Sequence, residues 1–178
     1  MEFQWAVTAC LGVLLFGTLQ GIVVAIIVSL LGLSYQTAKL RVSAIGRKRN
    51  TDVLRPLSPE YPDDETVDGL LIIRPEGSLY FVNLQDVADQ MKALVTQYHP
   101  QVVVLDMSRV PNIEYSALQR LVESEQVIAG NGVTLWLAGL NPDVLEIVRR
   151  SGLAERLGRE RMLFNACIAI ERYKALHL

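Results

Sequence analysis

The chain is poor in the residues from which reactive or cross-linked sites are most often built. Of its 178 residues, two are cysteine and two are histidine. Cys10 lies in an apolar run near one end and Cys167 near the other, so no disulfide framework is encoded. His99 and His177 have no cysteine or acid at ligand spacing, and no metal site is expected. Phosphate loops are missing too. There is neither a G-x-G-x-x-G nor a P-loop, and "GNG" at 130–132 falls between a helical and a strand pattern, the reverse of the order a phosphate-binding turn needs. It reads as a helix stop. Asp106 and Glu114 are carboxylates within reach of one loop, but nothing in the sequence marks a nucleophile or electrophile beside them. The expectation is no catalytic residue and no cofactor. With a formal net charge of −2, no nucleic-acid partner is expected either.

Charge is absent altogether from Phe3 to Tyr35, "FQWAVTACLGVLLFGTLQGIVVAIIVSLLGLSY". Such a run exceeds the roughly 20 apolar residues that mark a membrane span, and residues 1–36 are read as a transmembrane helical region in contact with lipid. A cleaved signal would need a basic start and a core of only about 7–15 apolar residues. A single helix would be roughly 50 Å long against a hydrocarbon core of about 30 Å, with Gln20 near its middle. A hairpin broken at Gly17 to Gly21, "GTLQG", avoids both problems. Gly17, Gly21, Ala25 and Ser29 recur at i+4, the spacing that lets membrane helices pack closely, and suit either the hairpin or a single span in a homodimer. The basic residues Lys39, Arg41, Arg47, Lys48 and Arg49 follow at once, placing everything after residue 36 on the cytoplasmic side.

Residues 37–67 read as a basic juxtamembrane stretch and then a linker, "NTDVLRPLSPEYPDDETV", with three prolines and no apolar period. Residues 68–178 alternate strands and helices. "GLLIIRPEGSLYFVN" predicts a strand to about Ile73, a turn at "PEG" and a second strand near Leu79 to Val82, paired as a hairpin. Val87, Met91, Leu94 and Tyr98 keep helical spacing. "QVVVLDM" is too apolar for a surface strand and predicts a central one covered on both faces, with Asp106 at its end bonded to nearby backbone amides. Leu118, Leu121, Val122 and Ile128 line a helix that stops at Gly130 to Gly132. "VTLWLAG" is a further strand, Pro142 opens a helix through Val148, Met162 to Phe164 forms a short edge strand, and Ala166, Ala169, Ile170 and Tyr173 mark a terminal helix. The fold class is α/β, a mostly parallel central sheet with helices packed on it.

At this level of detail the chain resembles a known family. "VVVLDMS", "VPNIEYSALQRLVE", "GVTLWLAG" and "VLEIVRRSGLAERLG" are similar to a STAS domain, the fold shared by anti-sigma factor antagonists and the cytoplasmic tails of SulP-type anion transporters. "LGVLLFGTLQGIVVAIIVSLL" with its basic flank, followed by "LLIIRPEGSLYFVN", is similar to the last two membrane helices and opening strands of the SulP branch. The resemblance implies the C-terminal part of a sulfate or other inorganic-anion transporter and favours the hairpin. Residues 1–35 hold no anion pathway and no counter-ion for one, so the chain alone is not expected to transport. The partner implied is the remaining membrane domain or a separate membrane subunit. The runner-up is a membrane-tethered partner-switching regulator; a nucleotide sensor finds no phosphate loop to support it.

In the antagonist branch the matching motif is an acid, a small residue, the phosphorylated Ser or Thr, then Gly. Here it is "EYSA": Glu114, Tyr115, Ser116, Ala117. Tyr115 is bulky and Ala117 replaces the close-approach Gly. Ser116 is read first as the cap of an S-x-x-Q capping box with Gln119, worth roughly 1 kcal/mol, and in the alternative as a phosphoacceptor whose added charge would repel a partner. A protein-interaction face is expected around it, from Pro111, Asn112, Glu114, Tyr115 and Ala117.

Overall fold

A computed structural model of the chain describes residue 7, residues 18–38 and residues 40–177. Two compact units follow one another, Met1–Lys39 and Leu40–Leu178. The first contains helix α1, Thr18–Ala38, which begins inside the Gly17 to Gly21 segment where a break is expected. Leu19, Ile22, Val23, Ile26, Ile27, Leu30 and Leu31 are exposed on it. Gly21 is buried and Ala25 half-buried, whereas Ser29 is exposed, and Val28 and Gly32 take the covered face instead. An i+4 row winds about 40° around a straight helix at each step, so the row 21–25–28–32 stays on one face where 21–25–29 does not. Gly17 and the first half of the expected hairpin lie outside the described residues. Among the described residues, no helix is long and apolar enough to cross a membrane.

The second unit is built on a six-stranded sheet: β1 Arg41–Arg47, β2 Leu54–Pro56, β3 Leu70–Glu76, β4 Val102–Asp106, β5 Thr134–Ala138 and β6 Met162–Leu163, in the spatial order β2-β1-β3-β4-β5-β6. Strands β3 to β6 are parallel, and β1 is antiparallel to both β2 and β3. Helices α2 (Phe81–Tyr98), α3 (Tyr115–Gly130), α4 (Pro142–Arg150) and α5 (Leu153–Leu157) supply Val87, Leu118, Val144, Val148, Leu153 and Leu157 to the face formed by Leu71, Ile73, Val103, Leu105, Leu135 and Leu137. Helix α6 (Ala166–His177) brings Ala166, Ala169, Ile170 and Tyr173 to the opposite face, against Leu70, Ile72, Val102, Val104, Trp136 and Ala138. All of β4 is buried, as its consecutive valines require of a strand covered on both sides.

Two sequence expectations change. The hairpin after Ile73 does not form. Strand β3 runs on to Glu76, past its last parallel pair, Ile73 with Leu105, so Pro75 sits where no amide is needed on that side. Leu79 makes one parallel bridge to Ile113, and Phe81 already begins α2. Asn83 closes the intervening turn: its side chain accepts the Tyr80 N–H and donates to the Ser78 carbonyl, each at 3.0 Å. The antiparallel partner of β3 is β1 instead, with Arg41 opposite Glu76 and Ile45 opposite Ile72. The stretch 37–67, read as a basic tether and linker, therefore contributes two strands. Its charges flank a four-residue uncharged centre, Val42 to Ile45, with Ser43 inside it, too short to register as a periodic signal.

Candidate functional site

The predicted face stands where β3, β4 and β5 end. From β4 the chain passes Asp106, makes one 3₁₀ turn over Met107–Arg109 and reaches α3 at Tyr115. Met107, Val110 and Ile113 are buried anchors on the sheet, and between them Pro111, Asn112, Glu114 and Tyr115 point outward. Backbone bonds pin the segment from two sides. Leu79 donates to the Asn112 carbonyl at 3.0 Å and Glu114 to the Leu79 carbonyl at 2.8 Å. The Asn141 carboxamide donates to the carbonyls of Val110 and Pro111 at 3.0 and 3.1 Å, while its oxygen caps α4 through Val144 N–H. The outcome is a fixed surface, not a swinging loop.

Beneath it lies a group that sequence reasoning missed. Arg74, 7% exposed, pairs with Asp106, 2% exposed: its Nε and Nη2 both donate to one carboxylate oxygen, at 2.8 and 2.6 Å. The other oxygen accepts the Ser108 N–H at 3.0 Å, the only part of this arrangement that was expected. Gly139 takes φ +67°, and a Cβ there would come within 3.1 Å of the same carboxylate oxygen and 3.2 Å of the Ser108 nitrogen. The signal was present: a lone arginine in "LLIIRP" cannot be buried without a partner, and an acid ends the next strand. With Asp106 neutralised and Glu114 on the surface, the two carboxylates do not converge.

Ser116 is not the cap. The N-cap of α3 is Glu114, which makes no side-chain cap bond, and Ser116 occupies the second helical position. Its hydroxyl oxygen is shielded from solvent and has no partner in good hydrogen-bond geometry among the described residues, although it lies near enough to the Glu114 carboxylate to stabilise the charge. The Phe81 N–H, at 3.0 Å, and after it the Ser116 hydroxyl hold the Glu114 carboxyl below its ordinary range. A kinase would have to open this first turn to reach Ser116. Ser116→Ala is expected to leave stability nearly unchanged, because the shielded hydroxyl has no well-formed hydrogen bond and the Glu114 carboxylate it supports is exposed and screened by solvent. A urea midpoint lower by the equivalent of about 1 kcal/mol would restore the capping role. Ala117 leaves the interaction face as well: it is fully buried, since residues two and three positions after Tyr115 turn toward the sheet.

Other chemistry is sparse. Burial, and Asp52 after it, raises the Cys167 thiol above its ordinary range, away from a reactive thiolate. Among the described residues no three His, Cys, Asp or Glu side chains converge. A cavity at the opposite edge of the sheet, beside Asp68, Gly69, Tyr98 and Pro100, offers about 110 Å³, well below the roughly 300 Å³ of a small-molecule site.

Known proteins agree with this picture. The STAS domain family model matches residues 61–165. Sulfate transporter 4.1, chloroplastic, of Arabidopsis thaliana is 29% identical over 167 residues, covering 88% of this chain and 24% of that protein. The murine Solute Carrier 26 family member A9 anion transporter, at 22% identity, shares the fold over 90% of this chain and 26% of its own, with a TM-score of 0.75. A sulfate transporter family protein from Wolinella succinogenes is 28% identical, with a TM-score of 0.55 over 64% of this chain and 92% of its own. The chain thus spans about a quarter of the length of the curated sulfate transporters it matches. With more than half of its residues matched, and with the sheet, the Asp106 turn and α3 in place, the chain belongs to the STAS domain family.

Proposed function

We propose that this chain is the regulatory and interaction module of a SulP-type sulfate or other inorganic-anion transporter, held at the membrane through residues 1–36 and unable to transport alone. The observation that carries this reading is the similarity to sulfate transporters over 88% and 97% of the chain, well beyond the STAS match at residues 61–165. The soluble module lies on the cytoplasmic side and starts at Leu40, so that it includes β1 and β2. It acts through the fixed face of Pro111, Asn112, Glu114 and Tyr115 on a protein partner, the remaining membrane body or a separate membrane subunit. The shielded hydroxyl of Ser116 weighs against the partner-switching alternative, which requires it as an acceptor. In proteoliposomes carrying this chain alone, labelled sulfate uptake is expected to equal that of empty vesicles; saturable uptake would overturn the reading.

A further inference from the structure

We propose that Asn131 and Gly132, in the turn from α3 to β5, form a site of spontaneous covalent modification, at which the asparagine side chain closes on the glycine amide and reopens as aspartate or isoaspartate.

Asparagine is thermally labile, and the residue after it decides how labile. The attacking atom is the backbone nitrogen of that next residue, which any side chain there crowds; glycine has none. Of the six asparagines in the chain, only Asn131 is followed by glycine. Asn141 precedes Pro142, whose nitrogen has no hydrogen to lose, while Asn50, Asn83, Asn112 and Asn165 precede Thr51, Leu84, Ile113 and Ala166.

The fold leaves this pair open. Asn131 closes α3 as its C-cap, at φ −94° and ψ 11°, and both it and Gly132 are exposed. Its carboxamide makes no hydrogen bond among the described residues, whereas those of Asn83, Asn141 and Asn165 are held by backbone groups. A side chain at Gly132 would meet nothing within 4 Å. The Gly132 N–H donates to the Ala129 carbonyl at 3.0 Å, a bond at a helix end, where opening costs least. Once that bond opens, Asn131 can rotate and bring its side chain onto the nitrogen. Asp68 and Gly69 repeat the spacing with a poorer electrophile, an ionised carboxylate, and a Cβ at Gly69 would come within 2.3 Å of the Tyr173 hydroxyl.

The reaction consumes only water. The Gly132 nitrogen gives its proton to solvent and bonds to Asn131 Cγ; the Cγ–Nδ2 bond breaks, and ammonia leaves with a proton from solvent. Water then opens the cyclic imide. Cleavage at Cγ gives aspartate on the original backbone, and cleavage at the main-chain carbonyl gives isoaspartate, whose backbone runs through Cβ and Cγ. Either product puts negative charge at the negative end of the α3 dipole. Isoaspartate also lengthens the turn, so the bonds of Gly132 to Ala129 and of Val133 to Ile128 cannot both persist. Its free main-chain carboxylate suits an isoaspartyl methyltransferase that uses S-adenosylmethionine.

The full chain, folded in micelles, would be aged in neutral buffer at body temperature beside a sample unfolded in urea. Both are digested with trypsin and mapped by fragmentation that separates aspartate from isoaspartate. In the folded chain, conversion at Asn131 several-fold faster than at the exposed Asn50 is expected, with enzymatic methyl label in the peptide 121–149. Asn131→Gln keeps an amide but closes only through a larger ring, and should lose both signals. An Asn131 still intact in the folded chain after the unfolded chain has converted overturns the inference, because the fold would then hold the turn shut. Conversion no faster than at Asn50, or a methyl label confined to the peptide that holds Asp68, overturns it as well.

Discussion

Arg74→Ala should destabilise the domain by about 3–5 kcal/mol, a large part of the roughly 5–15 kcal/mol that ordinarily holds a domain folded. The reason is asymmetry. Intact, the pair places two charge-assisted bonds on one Asp106 oxygen and a backbone amide on the other. Truncation leaves a carboxylate that is 2% exposed with the Ser108 amide alone, and a buried charge without its partner costs far more than the pair contributes. Converting Asp106 to Asn in the same chain removes the stranded charge while an amide oxygen can still accept from Ser108. Arg74→Met with Asp106→Asn is therefore expected to recover more than half of the loss. Urea unfolding of the full chain in micelles, followed by circular dichroism, reads both variants. A single variant that unfolds at the parent midpoint would mean that water reaches this pair freely.

Trp136→Ala is the second large effect. Trp136 sits in the middle of β5, 5% exposed, on the face that α6 covers. It meets Tyr173 edge-on, with ring centroids 6.4 Å apart and planes at 66°. Truncating a buried tryptophan costs about 3–5 kcal/mol, and a good aromatic pair adds about 0.5–1.5 kcal/mol. At roughly 2–4 °C per kcal/mol for a domain of this size, the combined loss should lower the melting temperature by about 7–26 °C. Since α6 reaches this face through only a few residues, among them Ala169, Ile170 and Tyr173, its amides should lose hydrogen-exchange protection before those of α2 or α3 do. A fall of a degree or two, with α6 still protected, would mean that the Trp136 face does not hold the helix.

Both effects fall on the α6 face, and the sequence was uneven there. The terminal helix was visible in Ala166, Ala169, Ile170 and Tyr173 because helical spacing over a dozen residues is a strong periodic signal. The Arg74–Asp106 pair was not: its members lie 32 positions apart, and only the parallel pairing of β3 with β4 brings the two strand ends together. Strand β4 was legible from "VVVL" alone, since a run that is apolar at every position fits only a strand covered on both faces. Strands β1 and β2 were hidden by their flanking charge and prolines, and "PEG" imitated a turn because Pro75 follows the last ladder bond it could have broken. At the candidate face, sequence marked the right segment but not the cap. Ser116 with Gln119 satisfies the capping-box pattern, yet the chain starts its helix two residues earlier than that pattern requires, at Tyr115 with Glu114 as the N-cap. The bridge of Leu79 to Ile113, with Glu114 N–H bonded back to the Leu79 carbonyl, sets where the extended segment ends, and tertiary pairing overrode the local preference.

The account stands on this STAS domain working as part of an anion transporter, and one measurement bears on that most directly. Native membranes would be solubilised in mild detergent, separated without denaturation, and blotted with an antibody raised against residues 68–178. The account predicts a membrane-borne signal at several times the mass of this chain, together with sulfate-binding or sulfate-flux activity in the same fraction. A signal confined to the mass of the chain itself, in the soluble fraction and away from any such activity, would contradict it.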